Sequence, residues 1–205
     1  MIGIKNFKSH ANKLKKLNKR FNQWTEYVTE DSFVYGYGGC LVKIHSNLDQ
    51  KIKDDKKQDF VEKLFKENQD KKETFVLPVK PIKQMFQSIN HQCKIAKISF
   101  KENIMIIRPD VYGVFDNAKY HFNSYYSIPN IEFATNTKMI ESLFVMLYNE
   151  QITDIQVGYD NSLKPIYFSN DELEVLASPY RLPGFGDENH VIGSIWKGVV
   201  RLAQD

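Results

Sequence analysis

Cysteine is scarce in this chain. Cys40 and Cys93 are the only two in 205 residues, far apart and without metal-ligand spacing. Neither a disulfide framework nor a zinc knot is expected, and both thiols read as reduced, buried side chains of a cytosolic protein. No apolar run approaches the roughly 20 residues that cross a bilayer. The N-terminus is basic, but it leads into an amphipathic pattern and not into the apolar core of a secretory signal. A cytoplasmic protein with no membrane partner is the expectation. Catalytic constellations are missing as well. His10, His45, His91, His121 and His190 are scattered, none at metal spacing with a carboxylate or cysteine. Asp54-Asp55 and Asp171-Glu172 fall in charge runs and turns, and no serine or cysteine sits in a nucleophile motif. Gly36-Tyr37-Gly38-Gly39 lacks the Lys-Ser/Thr ending of a phosphate-binding loop and reads as a hairpin turn with residues at positive φ. The expectation is therefore no enzyme, no cofactor and no metal.

Acid is absent from residues 1–25, which carry Lys5, Lys8, Lys13, Lys15, Lys16, Lys19 and Arg20. The net charge of the whole chain is only +3, so the positive field is local to this segment. Phe7, Ala11, Leu14, Leu17, Phe21 and Trp24 recur at spacings of three and four, which predicts a helix from about Asn6 to Gln23 with these residues on its buried face. The lysines occupy its other faces. Such a helix fits a duplex DNA backbone, because long cations reach phosphate oxygens without reading bases. It equally fits a merely solvated face and, less well, an anionic membrane surface.

What the sequence does have is aromatic content, Phe 14 and Tyr 11, which argues for a folded core and against disorder. The best-defined stretch is Phe133 to Leu182. Asn136 and Thr135 offer caps to a helix whose apolar face is Met139, Ile140, Leu143, Phe144, Met146 and Leu147. Three strand-like runs follow, around Ile152 to Val157, Ile166 to Phe168 and Leu173 to Leu176, separated by turn signals. The same strand, helix and meander order occurs twice more. Near residue 75, Phe75-Val76-Leu77-Pro78 precedes a helix with Pro81 at its first position, buried through Ile82, Met85, Phe86 and Ile89. Ile95 to Phe100 and Ile104 to Arg108 then form a hairpin over Lys101-Glu102-Asn103, and Tyr112 to Phe115 a further strand. Near residue 7 the basic helix leads into the alternating run 27–48. Internal repetition of one unit is the strongest organisational signal in the chain. Between the repeats, Asp49 to Glu73 is a charged insertion, read as a short surface helix from Asp59 to Asn68 held by Phe60, Leu64 and Phe65. Residues 119–130 read as a connector whose tyrosines pack at a junction.

These residues resemble the bacterial sliding clamp, the ring-shaped processivity subunit of the replicative DNA polymerase. The resemblance rests on Phe133 and Asn136 before the helix, on Lys164-Pro165-Ile166, and on the closing Ser178-Pro179-Tyr180-Arg181-Leu182. The string Val76-Leu77-Pro78 with Lys80, Ile82, Met85 and Phe86 adds to it. It implies an α+β fold of repeated strand, helix and antiparallel-meander units forming two clamp-like domains. Their expected bounds are 1–117, with the insertion at 49–73, and 131–182; a tail at 183–205 reads as one amphipathic helix. It further implies a non-catalytic processivity factor that tracks duplex DNA through Lys8, Lys13, Lys15, Lys16, Lys19, Arg20, Lys80 and Lys83. A DNA polymerase or other clamp-binding peptide would dock at Pro179, Tyr180, Arg181 and Leu182, with Tyr180 standing where an aliphatic residue is usual. A homotrimer ring is the implied assembly, although the fourth unit that such a ring needs is not visible in the sequence. Two other readings stand beside it. One is a monomeric interaction protein on a clamp-derived fold that binds or inhibits replication proteins; richness in Lys, Asn and Ile fits an AT-rich genome such as a phage's. The other is a nucleic-acid enzyme whose site assembles from distant residues.

Overall fold

The computed structural model describes residues 4–17, 24–29, 31–37, 39–45, 58–89, 94–109, 118–123 and 125–180. The chain opens on helix α1 (Ile4–Leu17) and the meander β1 (Thr25–Val28), β2 (Ser32–Tyr37) and β3 (Cys40–His45). Helix α2 (Gln58–Glu67) follows, then β4 (Glu73–Pro78), α3 (Val79–Ser88), β5 (Ile95–Lys101), β6 (Ile104–Pro109) and β7 (Ala118–His121). The last unit is β8 (Ile131–Asn136), α4 (Thr137–Asn149), β9 (Asp154–Tyr159), β10 (Ile166–Ser169) and β11 (Leu173–Ala177).

Two antiparallel sheets result, one of seven strands in the order β1-β2-β3-β11-β10-β9-β4 and one of four in the order β7-β6-β5-β8. The two later units exchange their first strands. β4 pairs with β9 of the last unit, Phe75 opposite Val157, and β8 pairs with β5 of the middle unit, Phe133 opposite Ile98. Elements from both sides of the expected division at 117–131 therefore share each sheet, and one apolar core runs across it. β3 joins the first meander to β11, with Val42 opposite Val175.

Alternation sets which face is buried. Ala96, Ile98 and Phe100 of β5 and Ile155 and Val157 of β9 point into the core formed under α1, α3 and α4. α4 packs against both α1 and α3, with Phe144 meeting Phe86 of α3 at 6.2 Å between ring centres. The Asn136 side chain accepts a 3.1 Å bond from the Met139 amide, so the expected cap on α4 is in place.

α2 lies on the opposite face of the seven-stranded sheet. Its Val61, Leu64 and Phe65 close over Tyr27, Val34, Leu41, Tyr167 and Leu176 in a second core. The helix expected in the charged insertion thus forms, but as an integral layer. Polar bonds anchor it at the rim. Lys43 Nζ donates to Glu62 at 2.8 Å and the Tyr27 hydroxyl donates to Glu62 at 3.1 Å, while within the sheet beneath, the Tyr167 hydroxyl of β10 donates to the buried Glu174 carboxylate of β11 at 2.7 Å. Both faces of β11 are consequently covered, which is why all five of its residues are buried.

Several local expectations shift. α1 ends at Leu17, and Leu17 is 46% exposed where the spacing assigned it to the core; residues 18–23 lie outside the described residues. α3 starts at Val79, so Pro81 is its third residue and not its first. The missing amide is still harmless there, because none of the first four helical amides has an intrahelical partner. The segment read as connector includes strand β7, and Phe122 behind it is buried against Phe100. Tyr112 to Phe115, Cys93 and the tail at 183–205 lie outside the described residues. Cys40 is buried, and burial pushes its thiol pKa up to about 12.

Candidate nucleic-acid interface

α1, α4 and α3 form one helical layer, and its charge is one-sided. Neither α1 nor α3 contains an acid, while α4 contributes Lys138 and Glu141. Aliphatic and aromatic residues fix each helix from beneath, leaving lysines no place but the solvent side.

Phe7 and Leu14 of α1 are buried, Phe7 lying 4.5 Å from the Phe33 ring and 5.5 Å from that of Tyr35. Lys8, Lys13, Lys15 and Lys16 are all exposed. At 100° per residue they do not form one stripe. Lys16 crowns the helix, Lys13 borders α4, and Lys8 with Lys15 faces the other flank, where Lys15 Nζ lies 5.6 Å from the Trp24 ring. On α3, Lys80 is exposed and Lys83 half-buried, its ammonium 3.8 Å over the ring of Tyr148 on α4. That cation–π contact holds the ammonium at the helix seam without neutralising it. Lys19 and Arg20 lie outside the described residues. The geometry thus brings six of the eight cations expected to bind DNA onto one layer.

The expected peptide groove is described only at its start. The Tyr180 amide donates to the Ala134 carbonyl of β8 at 2.7 Å, which ties the strand exit to the edge of the four-stranded sheet. Pro179 is half-buried and Tyr180 is 49% exposed. Arg181 and Leu182 lie outside the described residues.

Sequence reasoning passed over a polar group in the floor of the layer. His10 is 4% exposed, on the core side of α1 between Phe7 and Leu14. Its Nδ1 is 2.5 Å from the Tyr35 hydroxyl, which lies 3.3 Å from Met146 Sδ. Burial, assisted by the charge of Lys13, drives the His10 pKa down to about 3. The imidazole is therefore neutral across the physiological range. The signal was in the spacing all along, because residue 10 sits three after Phe7 and four before Leu14.

No protein-family model matches the sequence, and no curated protein matches it. Solved structures do. The Helicobacter pylori β clamp in complex with diflunisal superposes with a TM-score of 0.61 at 13% identity, covering 86% of this chain and 63% of that one. The DNA polymerase III β subunit of Pseudomonas aeruginosa gives 0.57 at 13%, covering 84% and 65%. The Helicobacter pylori β clamp bound to a DNA ligase peptide gives 0.50 at 12%, covering 74% and 41%. The chain thus spans less than two thirds of the length of these clamps. Identity this low speaks to architecture alone, and the architecture agrees with the repeated units, the antiparallel sheets and the helical layer described above. The fold of this chain is that of the DNA polymerase III β sliding clamp.

Proposed function

We propose that this protein is a non-catalytic, clamp-like factor that tracks duplex DNA on the helical layer α1, α4 and α3. A peptide of a polymerase or another replication protein would dock near Pro179, Tyr180, Arg181 and Leu182. The observation that carries the proposal is the charge asymmetry of the layer: lysines without acids on α1 and α3, set on a clamp fold. Lysines on a rigid platform hold phosphates as point charges and leave the bases unread, which suits sliding. That the Helicobacter pylori β clamp is bound to a DNA ligase peptide supports a peptide partner.

The direct test is the salt dependence of binding to a short duplex, read by fluorescence anisotropy. Each phosphate contact contributes about 0.9 to the slope of log K against log salt. The triple variant Lys8→Ala, Lys13→Ala, Lys16→Ala is expected to lower that slope by roughly 2 to 3 and to weaken binding at least tenfold at low salt. An unchanged slope would remove α1 from the interface.

Ring closure belongs to the same reading. Light scattering over a wide concentration range is expected to find three copies of the 24.0 kDa chain. A monomer at every concentration would instead favour an interaction protein that uses a clamp fold without encircling DNA.

A further inference from the structure

Lysines are held in two different ways in this chain. Away from the helical layer, Lys43, Lys71 and Lys97 stand against the carboxylates of Glu62, Asp160 and Glu132. In the layer, rings take the carboxylate's place: Lys15 Nζ lies 5.6 Å from the Trp24 ring, and Lys83 Nζ lies 3.8 Å from the centre of the Tyr148 ring. Among the described residues no carboxylate pairs with Lys83. The difference bears on what each ammonium can still do. An ion pair fixes a lysine and cancels its field, whereas the face of a ring fixes it and leaves the charge whole.

The α3–α4 seam shows how the second arrangement is built. Phe86 of α3 meets Phe144 of α4 inside the seam. Lys83 stands one turn before Phe86 and Tyr148 one turn after Phe144, so the same helix packing that stacks the two phenylalanines brings the cation over the phenol ring. Tyr148 does not belong to the buried face of α4 and is 40% exposed. Its hydroxyl has no partner among the described residues. The core therefore does not need this aromatic. Lys83, by contrast, is half-buried with its stem along the seam, and its head stays at the surface beside Lys80 on the preceding turn.

We propose that Tyr148 is a positioning residue of the helical layer, whose ring holds the Lys83 ammonium charged and pre-ordered at the α3–α4 seam to meet a phosphate of the duplex. The proposal rests on the DNA-tracking reading and deepens it. A free lysine loses rotamer freedom when it engages a phosphate, and a side chain already ordered by a ring loses less. Tyr148 thus acts on affinity through Lys83, without adding a phosphate contact of its own.

Duplex titrations by anisotropy, run as a double-mutant cycle on the full-length chain, test it. Lys83→Ala is expected to lower the salt slope by about 0.9. Tyr148→Leu keeps apolar cover over the lysine stem but removes the ring; affinity is expected to fall about threefold with the slope unchanged. Tyr148→Phe is expected to bind as wild type, and Tyr148→Leu to have no further effect once Lys83 is alanine. In the free protein, the ε-methylene protons of Lys83 are expected to show an upfield ring-current shift that disappears in Tyr148→Leu. A Tyr148→Leu protein that binds as wild type, an equal loss in the Lys83→Ala background, or a Tyr148→Phe protein as weak as Tyr148→Leu overturns the positioning role while tracking stands. A missing ring-current shift overturns it without reference to DNA. A wild-type chain that does not bind duplex at low salt discards the tracking reading and this role with it.

Discussion

Lowering the pH from about 7 to about 4.5 is expected to destabilise the protein by about 2 to 3 kcal/mol through His10 alone. In the unfolded chain this imidazole titrates near its ordinary 6.5, and in the folded protein only near 3. Between those values the unfolded state binds the extra proton, so stability rises with pH in this window and is lost as pH falls. The loss begins near 6.5 and is complete near 3. Folded carboxylates contribute lower down. Asp31 is held below the usual carboxylate range by the Thr29 hydroxyl. Asp160 is also held low: burial pushes it up, but the Lys72 amide and the Lys71 and Lys164 ammonium groups outweigh that. Both lose their contribution only below about 3.8, the ordinary value of the unfolded carboxyl. Within the interval down to 4.5, comparison with a His10 variant isolates the imidazole. Urea unfolding at a series of pH values checks it, with His10→Gln as the comparison, since glutamine still offers Tyr35 a hydrogen-bond partner and cannot titrate. The His10→Gln curve is expected to be the flatter of the two in this interval. Parallel pH profiles in the two proteins would mean that the folded imidazole is reached by protons without opening the α1–α4 seam.

His10 also shows where the sequence was legible and where it was not. The elements that carried a clean period were readable. The apolar face of α4 and the three strands after it stand where their spacing puts them, because each residue's burial there is set by its own helix or strand. Partner choice was not local and so was not readable. Nothing in Phe75 or Phe133 says that β4 leaves its own unit for β9 and β8 for β5. Position 10 was overlooked because histidine was weighed as a ligand and not as part of an apolar face. The packing of α2 did leave a trace. Val34-Tyr35, Cys40-Leu41-Val42 and Val175-Leu176-Ala177 are unbroken apolar runs, where a sheet with one wet face would alternate. Those runs called for a cover on the outer face, and Val61, Leu64 and Phe65 supply it. The cations were legible as a group because α1 lacks acid, but their distribution over two flanks needed the observed helix axis. Leu17 fell on the wrong side for a related reason: apolar identity was taken as burial at a helix end where the neighbouring elements no longer reach.

Gly36→Ala is expected to be more damaging than the same change at Gly158, costing about 3 kcal/mol or more and lowering the melting temperature by roughly 10 °C. Gly36 sits in β2 at φ +133°, a backbone conformation that side-chain-bearing residues rarely adopt. A Cβ there would stand 2.1 Å from the Cys40 carbonyl oxygen. That neighbour is backbone, and it cannot swing aside, because Cys40 is paired with both Tyr37 and Ala177. Relief requires the β2–β3 hairpin to open, and with it the attachment of β1, whose Thr25 lies opposite Gly36. Gly158→Ala makes the contrast. Its Cβ would meet Lys71 Cγ at 2.6 Å, a side chain, although one pinned by bonds to Asn68, Asp160 and the Pro165 carbonyl. Lys71 can move at the expense of those bonds, so a smaller loss, about 1 to 2 kcal/mol, is expected. The order of the two matters for function, because Phe7 of α1 rests on Phe33 and Tyr35 of β2. Disturbing Gly36 should loosen the platform of the most basic helix and weaken duplex binding, while Gly158→Ala leaves binding intact. Thermal melts of both variants, followed by the duplex titration, read this directly. A Gly36→Ala protein that melts within a few degrees of wild type would show that the hairpin has a second, relaxed conformation open to any residue.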